Sequence, residues 1–600
     1  MMSYKDKSLQ EGQFFIEGRS LEVSKSLDAR KKKGVFYTPY EIVSYMVGSI
    51  LNDIDLAVNP HIKILDPACG AGYFLIEALN LLYKKFYESY DEIISCNPEL
   101  QKRLNRDNIK RYIAENILYG ADIDPEAVML TKKSIEKEVG EICSTNIICC
   151  DSLIAGSEGF LDLFTTDVST LEFWDDEFDY ILGNPPYIGH KTADRTYKER
   201  LQSIYKDVYR DKSDIHYCFI KRSIDLLKNN GKLSFICSRY FLEGPSAEGL
   251  RRYILNNCSI IEIVDFDGYN VFADAGVASC ILTLEQDGAG HAPARIKKLS
   301  YKNKKILKGS IMDNSNFMTF HVGRSMLKSN GWLLIPEEKY EVFKIIDDKS
   351  THTLSDIFDS YQGIITGCDK AFIVSEKDIK SFELENSILK PWLKNSNIQK
   401  YKITSSNQYI IYSDLIENLD DYPNAAAYIS RHIDKLVTRR ECVKGLREWY
   451  KLQWGRKTDV FEGRKIVYPY KSDTNRFCVD DTGYFCSADV YSLKLKMNFE
   501  NIYDYNYLSA LLNSKTAEFY FKCFAKKISG RLYDYYPNTV MRIKIPAGVI
   551  NPSLLKLAER IAFCEHQNEK LRISEEIDSI IYEMYGLSSG QIEIIEDSIK

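Results

Sequence analysis

The chain has 600 residues and a formal net charge of −6 at pH 7, a length at which roughly two to four domains are expected. Its apolar runs are all shorter than the roughly 18 residues of a membrane span, and its polar N-terminus predicts no signal peptide. The 15 cysteines show neither the paired spacing of zinc ligands nor the pattern of a secreted disulfide framework. We therefore expect reduced thiols in a cytoplasmic protein and no bound metal.

The charge is unevenly distributed along the chain. Residues 431–476 contain 13 Lys and Arg against 6 Asp and Glu, so the remainder carries −13. Such an asymmetry predicts a face that meets a polyanion, although the charge alone is equally compatible with a solvated helical face.

From Gly34 to Gln286, apolar strand patterns alternate with amphipathic helix patterns. The predicted strands are 62–68, 116–124, 146–153, 178–186, 232–242, 260–266 and 277–286. The predicted helices are 72–90, 125–139, 216–231 and 249–257. This alternation predicts an α/β fold with a Rossmann-like parallel sheet and helices on both faces.

The alternation lapses after Gln286, and the Gly-, Ala- and Lys-rich stretch 287–305 is the expected domain junction. We therefore expect an N-terminal arm over 1–33 and an α/β domain over 34–300. A mixed α+β domain should follow over 301–550, with C-terminal helices over 551–600 packing on it.

Three strand ends carry residues typical of a nucleoside-type site. In LDPACGAGYF (65–74), Gly70 and Gly72 form a turn that lets backbone approach a ligand, and Asp66 can accept from a ligand amine. Asp122 ends the second strand, where an acid binds ribose hydroxyls, and Asp151 ends the third, where it can accept from an adenine amino group. Asp124, before Pro125, is predicted to cap the next helix.

A fourth strand end carries Asn184-Pro185-Pro186-Tyr187. Two prolines cannot continue a sheet ladder, so they should end the strand abruptly and hold the next residues rigidly at its carboxyl edge. In open α/β sheets this edge is where ligands bind.

These segments, in this order, resemble the N6-adenine DNA methyltransferases in which the cofactor motif precedes the target-recognition domain. The matching segments are GVFYTPYEIV (34–43), LDPACGAGYF, GADIDPEA (120–127), CCDSL (149–153) and GNPPY (183–187). Segments 361–372, 389–401, 507–521 and 536–546 are similar to the TaqI-like specificity domain. Segments 184–191, 439–456, 468–477 and 487–492 resemble, more narrowly, the orphan adenine methyltransferases of clostridia. The resemblance covers about residues 30–545.

The resemblance implies S-adenosylmethionine as the cofactor and double-stranded DNA as the partner of a monomeric enzyme. The residues implied to hold the cofactor are Tyr37, Thr38, Pro39, Asp66, Ala68, Gly70, Gly72, Asp122, Ile123, Asp151, Ser152 and Asn184. The clostridial kinship implies the target CAAAAA, methylated at its last adenine.

The chemistry of an exocyclic adenine amine accounts for the fourth loop. The nitrogen lone pair is delocalised into the ring. A pocket that accepts hydrogen bonds from both N–H groups can free this lone pair. The Asn184 side-chain oxygen and the Pro185 carbonyl suit this role, and Tyr187 can stack on the extruded base. The resemblance implies that Tyr240 or Phe241 supplies a second aromatic against the flipped base, with Tyr240 preferred. Since no covalent intermediate is needed, no partnered cysteine nucleophile is expected.

Base flipping requires contacts to the surrounding DNA. Lys and Arg can bind phosphates, while Arg and Asn can read base edges. The predicted DNA-binding residues are His190, Lys191, Gln362, Thr366, Lys370, Arg439, Arg440, Arg447, Trp449, Trp454, Arg456, Lys471, Asn475, Arg476, Lys526, Lys527, Arg531 and Tyr533.

Three alternatives are weighed against this function. A fused restriction–modification enzyme would need a nuclease metal site, and 459–465 (DVFEGRK) lacks its spacing. Methylation of a protein glutamine or of RNA is compatible with the Asn184 loop but is disfavoured by the basic C-terminal region. A methylase subunit of a restriction or phage-exclusion system, catalytic or not, is the third.

Overall fold

The computed structural model describes most of the chain, in two compact units. The described residues are 38–155, 172–187, 194–210, 212–272, 277–287, 292–300, 311–405, 407–529, 531–546 and 550–600. The first unit reaches Pro336 and the second begins at Glu337. Among the described residues, no helix is long and apolar enough to cross a membrane.

The first unit is built on a large, parallel-rich sheet in the order β3-β2-β1-β4-β5-β7-β6-β8-β9. Strands β1 to β5 are mutually parallel, whereas β7 runs antiparallel between β5 and β6. The strands are β1 Ile64–Asp66, β2 Leu118–Asp122, β3 Asn146–Cys149, β4 Phe178–Gly183, β5 Leu227–Ser238, β6 Cys258–Asp265, β7 Ser279–Gln286, β8 Ala294–Leu299 and β9 Phe317–Val322. A hairpin of β10 (Leu327–Lys328) and β11 (Gly331–Trp332) follows. The predicted α/β fold class is confirmed.

The helices of this unit have the amphipathic faces expected of layers that cover a sheet. They are α1 Tyr40–Leu51, α2 Tyr73–Glu88, α3 Tyr90–Cys96, α4 Ile109–Asn116, α5 Pro125–Val139, α6 Arg195–Ile204, α7 His216–Asp225 and α8 Glu248–Asn257. Helix α5 begins as predicted, because the Asp124 side chain accepts from the Glu126 N–H at 3.1 Å and Pro125 needs no acceptor.

The predicted domain junction at 287–305 is wrong. Residues Ala294–Leu299 form β8, which pairs in parallel with β6 and antiparallel with β9. The Gly- and Lys-rich composition suggested a linker, but within it Ala294, Ile296 and Leu299 are buried. The first unit therefore extends beyond residue 300, to Pro336.

The second unit combines several small sheets with helices. Its larger sheets have the orders β13-β23-β19-β21 and β14-β18-β15-β22. Its strands are β12 His352–Thr353, β13 Phe358–Gln362, β14 Ile373–Ser375, β15 Leu389–Leu393, β16 Ile398–Gln399, β17 Lys402–Ile403, β18 Gln408–Ile411, β19 Lys465–Pro469, β20 Lys471–Ser472, β21 Cys478–Asp480, β22 Phe485–Cys486, β23 Val490–Leu495, β24 Lys527–Ser529, β25 Leu532–Asp534 and β26 Lys544–Ile545. A buried core that includes Trp392, Tyr412 and Phe485 lies beneath them.

The helices of the second unit end in a C-terminal group. They are α9 Glu337–Lys349, α10 Leu354–Ile357, α11 Asp369–Phe372, α12 Glu376–Ser381, α13 Pro423–Ser430, α14 Ile433–Val437, α15 Arg440–Val443, α16 Tyr505–Asn513, α17 Lys515–Phe524, α18 Pro537–Val540, α19 Pro552–Phe563, α20 Gln567–Met584 and α21 Ser589–Ile599. The last three pack on α16 and α17, and Lys515 ties them by donating its N–H to Asp578 and pairing with Glu596.

Candidate active site

The carboxyl ends of β1, β2, β3 and β4 surround a cavity of about 430 Å³. Parallel neighbouring strands end at one edge of the sheet, so residues far apart in the sequence meet there. Residues predicted to hold a cofactor that line it are Thr38, Asp66, Ala68, Gly70, Asp122, Ile123, Asp151, Ser152 and Asn184. Pro39 and Gly72 lie instead at the starts of α1 and α2. Tyr37 lies outside the described residues.

Asp66 is a buried carboxylate at the end of β1, 1% exposed. Its Oδ1 accepts the Ala68 N–H at 3.1 Å, and among the described residues its Oδ2 has no hydrogen-bond partner. Burial, reinforced by the negative charge of Asp122, raises the pKa of Asp66 to about 8. A cationic ligand group at this point would restore the ionised carboxylate and satisfy its open oxygen.

Asp122 holds the glycine turn against the end of β2. Its Oδ2 accepts the Gly70 N–H at 2.9 Å, and its Oδ1 accepts the Asp124 N–H at 2.9 Å. The Thr131 hydroxyl donates to the Gly70 carbonyl at 2.8 Å. Each carboxylate oxygen retains acceptor capacity, so Asp122 can still accept from ligand hydroxyl groups.

Asp151 follows the end of β3 and lines the cavity, where helix α6 contributes a residue that the sequence analysis missed. Tyr197 lines the cavity, and its hydroxyl is hydrogen-bonded to the Asp151 carboxylate. Burial raises the pKa of both groups. Ile215, which directly precedes α7, and Phe219 of α7 also line the cavity and were missed. They follow the fourth strand end, outside the four loops that the motif analysis singled out.

Asn184 follows β4 and reaches the cavity beside the N-terminus of α1. Its Nδ2 donates to the Thr38 hydroxyl oxygen at 3.0 Å. This hydrogen bond orients the amide, because it assigns the nitrogen to Thr38 and directs the carbonyl oxygen elsewhere. Thr38 is 3% exposed, so water does not replace it as the acceptor.

Tyr187 is more enclosed than the stacking prediction implies. The residue is 7% exposed, and its hydroxyl donates to the Ile236 carbonyl on β5 at 3.1 Å. Its ring meets those of His216 and Phe272 edge-on, at centroid distances of 6.1 and 6.0 Å. A planar ligand could stack on the Tyr187 ring only after a neighbour moves.

The structure separates the two aromatic candidates that follow β5. Phe241 is fully buried and packs edge-on against Trp332, with ring centroids 5.5 Å apart, so it belongs to the core. Tyr240 is partly exposed. Phe272 was missed by the sequence analysis, and no periodic pattern marks its contact with Tyr187.

Several predicted DNA-binding residues are used inside the second unit. Asn475, predicted to bind DNA, is fully buried, donates to the Leu512 carbonyl at 2.7 Å and accepts from the Tyr535 hydroxyl. Thr366, also predicted to bind DNA, is 4% exposed, and its hydroxyl donates to Asp369. The Arg439 guanidinium, predicted to bind DNA, is committed to backbone carbonyl groups, including that of Thr366 at 3.1 Å.

Other predicted residues are partly committed. Arg447 pairs with Asp414 at 2.8 Å, and Arg476 donates to the Ser472 hydroxyl. Trp449 packs against the core, and Lys471 lies over the Tyr470 ring. Gln362 accepts from Arg456 at 3.0 Å.

The remaining candidates lie at least partly at the surface. Lys370, Arg440, Trp454, Arg456 and Arg531 are exposed, while Lys526, Lys527 and Tyr533 are half-buried. His190 and Lys191 lie outside the described residues.

An open sheet in the order 3-2-1-4-5-7-6, with acids at its first three strand ends, defines the fold class of S-adenosylmethionine-dependent methyltransferases. The comparisons agree with this class. Residues 116–272 match the family of Eco57I restriction-modification methylases, and residues 390–545 match the TaqI-like C-terminal specificity domain.

Relatives of the same kind are similar along most of the chain. It is 23% identical over 563 residues to the Type II methyltransferase M.BstVI of Geobacillus stearothermophilus, covering 90% of this chain and 93% of that protein. It is 25% identical over 526 residues to the Type II methyltransferase M.HindII of Haemophilus influenzae, covering 83% and 86%. These similarities support a DNA methyltransferase.

A solved structure shares the fold. The Type IIL restriction-modification enzyme MmeI, determined in complex with DNA, superposes with a TM-score of 0.62 at 14% identity, over 95% of this chain and 79% of that one.

Proposed function

We propose that this protein is a site-specific DNA methyltransferase that transfers a methyl group from S-adenosylmethionine to N6 of an adenine flipped out of double-stranded DNA. The observation that carries the proposal is the orientation of Asn184. Its nitrogen donates to Thr38, so its carbonyl oxygen would be the atom that accepts from a substrate amine beside the cavity.

The cavity residues fit the cofactor. A volume of about 430 Å³ lies in the range of small-molecule sites. The open oxygen of Asp66 would accept from the cofactor ammonium, Asp122 from the ribose hydroxyls and Asp151 from the adenine amine. The cofactor would supply a methyl group on a positively charged sulfur, ready for in-line attack.

The protein's part in the chemistry is to bind and orient the amine. The Asn184 side-chain oxygen and the Pro185 carbonyl would accept hydrogen bonds from the two N–H groups of the amine. These hydrogen bonds would favour a pyramidal nitrogen with a localised lone pair. No nucleophilic side chain is needed, and much of the acceleration would come from holding the nitrogen in line with the methyl group.

The flipped base would lie among the aromatics at the ends of β4 and β5. Tyr187 and Tyr240 are the proposed stacking residues, and Phe272 joins them because it contacts the Tyr187 ring. The enclosure of Tyr187 implies that the base enters by displacing a neighbour, a side-chain change of the kind that often accompanies binding.

The narrower features of the activity rest on the resemblance. We propose that the enzyme is an orphan without nuclease, similar to the clostridial adenine methyltransferase CamA, and acts as a monomer in the bacterial cytoplasm, associated with the nucleoid. The proposed target is CAAAAA at its last adenine, whose A-tract would also permit readout through its narrow minor groove.

The experiment that tests this function is methyl transfer from labelled S-adenosylmethionine to unmethylated genomic DNA, followed by single-molecule sequencing. The expected result is N6-methyladenine at one recurring A-rich motif, absent with Asn184→Ala. Label without a recurring motif would contradict site specificity. No label in DNA, with normal cofactor binding, would contradict the DNA methylase.

A second candidate is methylation of a protein glutamine or of RNA, since a glutamine amide or an RNA base amine would also present an NH2 group to the Asn184 loop. Transfer of label to RNA or protein fractions of the same cells, and not to DNA, would favour it. A methylase subunit of a restriction or phage-exclusion system would instead methylate DNA and protect its motif from a companion nuclease.

The affinity for S-adenosylhomocysteine, which retains the ammonium group, is expected to fall as the pH drops below about 8. Below the raised pKa of Asp66, about 8, the free protein carries a neutral carboxyl that must lose a proton to pair with the ligand. Each further pH unit then costs about tenfold in affinity. Well above pH 8, the ligand amine loses its own proton, so the affinity should peak near that pH.

Calorimetric titration between pH 6 and pH 9 measures this profile. The control is Asp66→Asn, which should bind weakly and lose the acid limb of the profile. A wild-type affinity that stays constant from pH 6 to pH 8 would contradict the role of Asp66.

Thr38→Val is expected to lower kcat about 10- to 100-fold, because it leaves the buried Asn184 N–H without its acceptor at a cost of about 1–3 kcal/mol. The variant preserves side-chain volume, and Thr38→Ser, which keeps the hydroxyl, should retain most activity. Steady-state kinetics with both substrates checks this. A rise in KM for the cofactor with unchanged kcat would show instead that Thr38 serves only the cofactor.

A further inference from the structure

A short, ordered turn in the second unit exposes large apolar side chains. Residues 440–446, which we call the apolar tip, consist of α15 and the turn that ends it. Gly445 adopts a left-handed backbone with φ of 67°, and its N–H donates to the Cys442 carbonyl at 2.9 Å. The Leu446 N–H donates to the Glu441 carbonyl at 2.8 Å. This is a hydrogen-bonded helix end with a defined shape.

The base of the tip is held to the second unit by partly buried polar contacts. Arg439 donates to the carbonyls of Leu436, Thr366, Trp449 and Lys451 at 2.8–3.1 Å. On the other side, Arg447 pairs with Asp414 at 2.8 Å. Within the tip, Glu441 accepts from Gln453 at 2.9 Å. Arg439 and Arg447, which the sequence analysis predicted to bind DNA, thus hold the tip in place.

The fastened tip presents large apolar side chains to solvent. Val443 is 72% exposed and Leu446 is 69% exposed. Isolated exposed apolar residues are ordinary on protein surfaces. Here two of them lie on one ordered seven-residue turn. The polar contacts at its base would hold the turn in shape when it binds a partner.

The charge around the tip selects the kind of partner. Arg440 and Lys444 flank the apolar side chains, are exposed, and form no ion pair with any residue of the described chain. Residues 431–457 contain 9 Lys and Arg against 3 Asp and Glu. Apolar side chains bordered by unpaired cations match a duplex, in which stacked bases lie between two rows of phosphates.

We propose that the apolar tip is a wedge that enters the target duplex and helps to separate the base step from which the adenine is extruded. Val443 and Leu446 would enter between bases while Arg440 and Lys444 bind the adjoining phosphates, the arrangement by which apolar wedges unstack DNA. This inference rests on the proposed function, because extrusion of the target adenine is the step for which the duplex must open.

The test compares two duplexes that carry the methylation motif found by sequencing. In one the target adenine is paired, and in the other it lies opposite an abasic site, so that it needs little opening. For Val443→Ser/Leu446→Ser, kcat/KM is expected to fall at least about tenfold on the paired duplex and to stay within about threefold of wild type on the unpaired one. The rise in fluorescence of 2-aminopurine at the target position should be lost on the paired duplex.

Matched variants separate the wedge from other effects. Met497→Ser removes another exposed apolar side chain of the second unit, 84% exposed, and should behave as wild type. Arg440→Gln/Lys444→Gln should weaken binding of both duplexes alike and reduce the salt dependence of binding. Cofactor affinity and melting temperature, unchanged in the Val443/Leu446 variant, would show that it is folded.

Each other outcome has a distinct meaning. An equal loss on both duplexes would show that the tip only grips DNA, and no loss on either would leave it as a surface for a protein; both overturn the wedge while the proposed function stands. Absence of methylation by the wild-type enzyme on both duplexes would overturn the proposed function and the wedge together.

Discussion

Replacing Asn184 by alanine is expected to lower kcat for methyl transfer about 1,000-fold, the upper range found when one preorganised polar contact to a reacting centre is removed. The truncation removes the oxygen that would accept the substrate amine. It also removes the donor to Thr38, so nothing polar replaces the contact. Affinity for S-adenosylhomocysteine should stay within about threefold, because the Asp66 side of the cavity is unchanged.

Asn184→Asp is the matched variant, since a carboxylate still offers an acceptor but has no N–H for Thr38. It should retain clearly more activity than Asn184→Ala. Single-turnover kinetics with a defined duplex separates the chemical step from binding, and calorimetry measures cofactor affinity. An Asn184→Ala enzyme with near-normal single-turnover rates would show that the amine is activated elsewhere.

Gly183→Ala is expected to weaken cofactor binding about 10- to 100-fold and to lower stability by about 1–3 kcal/mol, as overpacking of a tight site does. A Cβ atom at Gly183 would lie 2.5 Å from Asp66 Oδ1 and 3.1 Å from its Cγ. Neither backbone can yield easily, because β1 and β4 are hydrogen-bonded neighbours through Ile64 and Leu65. The Asp66 carboxylate must therefore rotate out of position.

Gly323→Ala is the control, because the nearest atom to its added Cβ is the Ser325 hydroxyl at 3.9 Å. Calorimetric titration and thermal unfolding of both variants measure the two effects. Wild-type cofactor affinity in Gly183→Ala would mean that the position of Asp66 does not control the site.

Local patterns in the sequence predicted much of the secondary structure of the first unit. The strands from Ile64 to Gln286 and the helices α2, α5, α7 and α8 follow from apolar periodicity, which depends on residues a few positions apart. Helices α3, α4 and α6 of the same span were not predicted. The acids at three strand ends and the loop at Asn184 were also recognisable, since parallel strands bring their carboxyl ends to one edge. Charge and composition misled at β8, where alternating buried residues lie within a Lys-rich stretch.

The sequence by itself thus determined the fold class and the acids, amide and prolines of the candidate site. Only the tertiary structure decided that Thr38 orients Asn184, that Phe272 meets Tyr187 and that Tyr197 covers Asp151, because these pairs join distant segments. It also decided which basic side chains bind groups within the protein, as Arg439 does, and which remain exposed, as Arg440 does. Neighbouring arginines have the same chemistry, and only the carbonyls that the fold brings to one of them distinguish their roles.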